Sequence, residues 1–140
     1  MRVMVIVKAS KASEAGVMPG TKLLTEMGAF NERLAAAGLL LAGEGLHPSG
    51  KGVRVRFGAG GPKIVPGPFP EAESLVAGFW LWRVASMEEA VDWAERMPQE
   101  PGLEQEIEIR RVFEAEDFGA ELTPDLRERE DRLRDLLGSA

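Results

Sequence analysis

At 140 residues and a formal net charge of −6, the chain has the length of one domain, enough to bury about 68% of its unfolded surface. The acidic balance argues against bulk nucleic-acid or anionic-membrane binding, and the lack of cysteine excludes disulfides, thiolate nucleophiles and cysteine metal sites. No segment approaches the ~20 apolar residues of a membrane span, and Met1–Lys8 lacks a small-residue cleavage site, so the expected location is the cytoplasm.

Val3, Val5 and Val7 alternate with Met4 and Ile6, a pattern that predicts a first strand buried on both faces. Lys8 to Gly20 is polar and glycine-bearing, as a mobile surface loop would be. From Thr21 to Ala37, Leu23, Met27, Phe30 and Leu34 recur at helical spacing and mark one face of an amphipathic helix. Gly38 is placed to end it. Leu39 to Leu46 reads as a second strand, in which Gly43 and Gly45 mark a bulge or a close approach.

A third strand follows, with Val53, Val55 and Phe57 expected on a core face and Arg54 and Arg56 on the other. Lys63-Ile64-Val65 pairs back as a short edge. Pro66, Gly67, Pro68 and Pro70 then fix a tight loop. Val76 to Val84 is the most strand-like run in the chain. It directs Phe79 and Leu81 to one face and Trp80, Trp82 and Val84 to the other. One small domain rarely covers both faces of such a strand, so helices are expected on one side and a second copy of the chain on the other. Ser86 and Glu89 have capping-box spacing at the head of a second helix, with Met87, Ala90, Ala94 and Met97 as its buried stripe. Ile107 and Ile109 share a face of the last strand, opposite Glu106, Glu108 and Arg110. The order strand, helix, strands, helix, strand is the ferredoxin-like pattern. Beyond residue 113 an acidic arm bearing Phe118 leads to a helix capped by Thr123 with Pro124 at its first position. The expected organisation is therefore a domain over residues 1–113 and a helical extension over residues 114–140.

Several of these runs fall together in a familiar order. Gly67-Pro68-Phe69 precedes Gly78-Phe79-Trp80, with Ala42-Gly43-Glu44-Gly45-Leu46 before them. Glu88-Glu89-Ala90, Trp93-Ala94 and Ile107-Glu108-Ile109-Arg110 come after. From Arg2 to Val112 the chain resembles the DGPF branch of the YCII-related family. The resemblance implies a ferredoxin-like βαββαβ α+β fold with an antiparallel sheet, pairing as a dimeric α+β barrel, and a biochemical function that is mostly unassigned. It also implies an acid–base pair, a histidine on the first helix and an aspartate before the proline after the second. The corresponding positions here are Met27 and Met97, neither of which can move a proton. The aspartate that names the branch is replaced by Pro66.

Six residues are candidates for a site. His47 is the only histidine and hence the only side chain of its type that titrates near neutrality. It ends the second strand three residues after Glu44, on the opposite side of an ideal strand, so that a direct pair would need a kink at Gly45. It serves as a functional group or as a solvated loop residue. Arg54 and Arg56 share a strand face and form two forks suited to a carboxylate or phosphate, or else balance Glu44, Glu106 and Glu108. Trp80 and Trp82 share a face and wall a pocket or fill an interface. One histidine among scattered carboxylates is not a transition-metal ligand set, and no cofactor is expected. Gly58-Ala59-Gly60-Gly61 does not lead into a helix and reads as a hairpin turn. The expected function is a homodimeric small-molecule-binding or accessory module, with regulation as one form of it. Its ligand would be a small anionic or apolar molecule over the second and third strands, under the Lys8–Gly20 loop as a lid. A small cofactor-independent enzyme using His47 and Glu44 with Arg54 and Arg56 is the alternative.

Overall fold

A computed structural model describes residues 1–138. Residues 139 and 140 of the expected extension lie outside the described residues. The chain divides into two compact units, Met1–Arg110 and Arg111–Ala140.

In the first unit, strand β1 (Arg2–Lys8), helix α1 (Lys11–Glu14), helix α2 (Thr21–Ala36) and strand β2 (Leu40–Gly45) come first. The hairpin strands β3 (Val53–Arg56) and β4 (Lys63–Pro66) precede strand β5 (Val76–Arg83), helix α3 (Met87–Glu95) and strand β6 (Ile107–Arg111). The main sheet has the order β2-β5-β1-β6, with β5 antiparallel to both β1 and β2. Elements β1-α2-β2-β5-α3-β6 make a ferredoxin-like α+β domain.

The aromatic strand β5 lies second from the edge, and its burial alternates as its sequence requires. Trp80, Trp82 and Val84 are buried, whereas Phe79 and Leu81 are half-buried on the other face. The buried face meets Val3 and Val5 of β1, Phe30 and Leu34 of α2, Ala90 of α3 and Met97. Aromatic packing is dense here. The Phe30 ring stands edge-on to Trp80 at 5.8 Å and to Trp93 at 6.2 Å, geometries worth about 0.5–1.5 kcal/mol per pair beyond area burial. Helix α2 runs to its expected end, where Gly38 takes φ +78° just past the cap, a conformation glycine adopts at little cost. At α3, the Ser86 hydroxyl accepts from the Glu89 N–H at 3.2 Å, the cap half of the predicted box.

The third predicted strand is corrected by the structure. Strand β3 pairs only with β4, and no face of it is core. Val53 is 60% exposed and Phe57 84% exposed. β5 has β2 on one side and β1 on the other, and β3 joins neither outer edge of that sheet. The hairpin is therefore an insertion between β2 and β5.

The Lys8–Gly20 loop is more ordered than its composition suggested. Ser10 caps α1 in a reciprocal capping box with Ser13. The Glu14 carboxylate accepts from the Ser49 N–H at 3.0 Å and from the Ser49 hydroxyl. That hydroxyl oxygen in turn accepts from the Phe69 N–H at 3.0 Å. These bonds tie the base of the loop to both ends of the inserted hairpin.

In the second unit, Phe113 and Phe118 stack at 5.2 Å, and Arg127 reaches Glu116 at 3.0 Å. Helix α4 (Pro124–Leu137) starts on Thr123 and Pro124 as expected, and Glu128 pairs with Arg132 at 3.6 Å. Among the described residues no helix is long and apolar enough to cross a membrane.

Candidate functional site

The helix-facing side of the sheet is well filled at Trp80 and Trp82, then abruptly loses its side chains. Gly43 and Gly45 of β2 face Trp80 and Gly78 of β5, and Gly78 also faces Val7 of β1. Three glycines therefore form a floor without side chains. Helix α2 does not fill the gap above it. Its buried residues are Phe30 and Leu34, in its C-terminal half, whereas Met27, a turn earlier, is only half-buried.

The result is a cleft of about 820 Å³ lined by Val7, Met27, Asn31, Gly43, Gly45, Gly78 and Trp80, with residues 16–20 along one side. Glu44, Leu46, His47, Phe79, Glu100, Leu103 and Glu104 also line it. Val17 and Met18 are 64% and 79% exposed, apolar residues on the segment expected to act as a lid. Small-molecule sites commonly have this size and a mostly apolar lining with few polar groups.

One wall is fixed by a specific contact. The Trp80 indole N–H donates to Asn31 Oδ1 at 2.9 Å. A Cβ on Gly43 would lie 2.6 Å from Trp80 Cδ1, so this position must be glycine for the ring to lie where it does. Gly45 has open space where its Cβ would be; its contribution is the room it leaves.

The six candidates part company here. Glu44, His47 and Trp80 line the cleft. Trp82 is fully buried in the core and does not line it. Arg54 and Arg56 are on the separate hairpin, where the Arg54 guanidinium lies 3.9 Å from the Phe69 ring centroid, a cation–π stack. They are not brought to the cleft. Nor do the expected glutamates balance them: Glu108 lies 3.7 Å from Lys8 and 4.0 Å from Arg110. Among the described residues no lysine or arginine lines the cleft, whereas Glu100 and Glu104 do; Glu44 borders it from the strand but, in register with Phe79, directs its side chain to the other sheet face. Of the two family acid–base positions, Met27 lines the cleft and Met97 is buried in the core. No group of three or more His, Cys, Asp or Glu among the described residues could hold a metal ion.

Sequence inspection missed Asn31, Gly78 and the Glu100–Gln105 segment. Asn31 was detectable in principle, since it lies four residues beyond Met27 on the same helix face.

The model of the YCII-related domain matches residues 1–116. The chain belongs to the YCII-related family. No curated protein matches it. A solved structure similar to this family member is the 5-chloro-2-hydroxyhydroquinone dehydrochlorinase TftG from Burkholderia phenoliruptrix AC1100, in complex with 2,5-dihydroxybenzoquinone. The identity is 16% and the TM-score 0.48, over 84% of this chain and 98% of that one.

Proposed function

We propose that this YCII-related chain, of the DGPF branch with Pro66 in place of the naming aspartate, is a homodimeric small-molecule-binding protein. Its ligand is a neutral, largely apolar molecule seated on the glycine floor against Trp80. The cleft itself carries this proposal: three glycines clear its floor, an indole held by Asn31 walls it, and its charged lining is carboxyl rather than guanidinium. An anion gains nothing from Arg54 and Arg56 at this place and would meet Glu100 and Glu104 instead. The test is a thermal-shift series comparing neutral aromatic compounds with carboxylates of equal size. A ligand at 100 times its Kd stabilises the fold by about 2.7 kcal/mol, and the neutral compounds should give the shift. Stabilisation by carboxylates alone, lost in Arg54→Ala, would move the site to the hairpin and overturn the proposal.

The second copy is supported by the other face of the sheet. Met4, Ile6, Phe79 and Leu81 lie on it, and Met4 is 36% exposed. The helical core residues Phe30, Leu34 and Ala90 pack against the opposite, tryptophan-bearing face. An apolar sheet face left open in this way is a natural surface for face-to-face pairing.

An enzymatic role has one observation in its favour: His47 lines the cleft, although Glu44, in register with Phe79, directs its side chain to the other face of the sheet. In that case His47 would move the proton that Met27 and Met97 cannot. Turnover of a cleft ligand that disappears in His47→Ala, with the fold intact, would establish it.

A further inference from the structure

We infer that the cleft selects ligands bearing a hydrogen-bond acceptor, such as a neutral carbonyl on a flat apolar body, through the side-chain amide of Asn31. This deepens the binding role proposed above and rests on it. Tryptophan is a donor only, so the end of the Asn31 amide that accepts from the Trp80 indole must be its oxygen. That fixes the orientation of the Asn31 amide: Oδ1 takes the indole N–H at 2.9 Å, and Nδ2 carries two hydrogens elsewhere. No acceptor among the described residues takes them. The only buried side-chain nitrogen or oxygen without a partner among those residues is Trp82 Nε1. Asn31 Nδ2 is therefore unpartnered yet accessible, on a residue that lines the cleft.

The donor is also held in place. The Trp80 ring that orients Asn31 has Phe30 edge-on at 5.8 Å and no room to shift towards β2, because only the missing Cβ of Gly43 lets it lie there. A preorganised donor beside an indole wall discriminates more sharply than a flexible one, since little ordering is left to be done on binding. Glu100 and Glu104 along the cleft add the second half of the selection by disfavouring an anionic acceptor.

The experiment compares two probes of nearly identical shape, acetophenone and α-methylstyrene, in which a carbonyl oxygen is replaced by a CH₂ group. Each is titrated into 15N-labelled protein, and its Kd is read from the Trp80 indole and Asn31 side-chain amide resonances. Asn31→Asp is the informative variant. It keeps an acceptor for the Trp80 N–H but replaces the two donors with an oxygen. Asn31→Leu removes both and also strands the indole N–H. The expected result is that the affinity ratio of acetophenone to α-methylstyrene falls about 2–10-fold in Asn31→Asp, the worth of one net hydrogen bond. The Asn31 amide pair of the wild type should shift with acetophenone and not with its isostere. If both probes bind at Trp80 and the ratio is the same in wild type and Asn31→Asp, the donor role is wrong while the binding site stands. If neither probe moves the Trp80 indole, the binding role fails and this inference fails with it.

Discussion

Gly43→Ala and Gly45→Ala are the same chemical change two residues apart on one strand, and the structure assigns them opposite outcomes. A Cβ at position 43 would stand 2.6 Å from Trp80 Cδ1 and 3.1 Å from Nε1. The indole must move, and it is anchored by the Asn31 bond at 2.9 Å and by Phe30. Overpacking of this kind costs about 1–3 kcal/mol, and losing the Asn31 bond adds about 0.5–1.5 kcal/mol. Against this, alanine restricts the unfolded chain and returns about 0.4–1 kcal/mol. The net expectation is a destabilisation of about 0.5–4 kcal/mol for Gly43→Ala. Gly45→Ala meets nothing within 4 Å and should be neutral or slightly stabilising, while reducing the room in the cleft. Urea unfolding measures both, and the Trp80 indole resonance reports whether the ring has moved. Equal stabilities, with the indole resonance unchanged in Gly43→Ala, would refute the close-approach reasoning.

Other expectations follow from separate parts of the fold. Leu81→Arg places a charge on the open sheet face and should leave a folded monomer by light scattering; a dimer that survives it would put the interface elsewhere. Glu14→Gln weakens the bonds to Ser49 and should cost about 1–2 kcal/mol, less than a fully buried charged bond. Its signature is faster amide exchange at Ser49 and Phe69, and unchanged exchange would show that the loop is held by something else. Truncation after Val112 should leave a soluble, cooperatively unfolding domain, since the first compact unit ends at Arg110. An insoluble product would mean that the extension is part of the folding unit.

The parts of the fold that were legible in the sequence are those written in periodic apolar residues. Val3 and Val5, the alternation along Phe79–Val84, and the Phe30/Leu34 stripe each carry their burial in their spacing, whereas the other face of β1, expected to be buried as well, leaves Met4 36% exposed. The inserted hairpin was legible as two strands but not as a separate sheet. Val53, Val55 and Phe57 have the pattern of a core strand, yet β3 pairs with β4 and joins neither outer edge of the main sheet. Pairing is a long-range property that no local window contains. The cleft was half visible for the same reason. Gly43 and Gly45 stood out within one strand, but the floor requires Gly78 opposite Gly45, and that register is set by the sheet. Arg54 and Arg56 attracted notice as a pair of forks, yet chemistry at matching spacing says nothing about which cavity a strand borders.

The central claim is that the glycine-floored cleft is a ligand site. The chain has three tryptophans, and the structure separates them into one on the cleft wall, Trp80, one sealed in the core, Trp82, and one half-buried beneath the Arg96 guanidinium, Trp93. A titration with acetophenone, followed on the three indole N–H signals in a 15N correlation spectrum, reads all of them at once. A saturable shift of Trp80, with Trp82 and Trp93 essentially still, is the predicted result. Shifts at Trp93 or Trp82 without Trp80, or no saturable shift at any indole, would contradict the account.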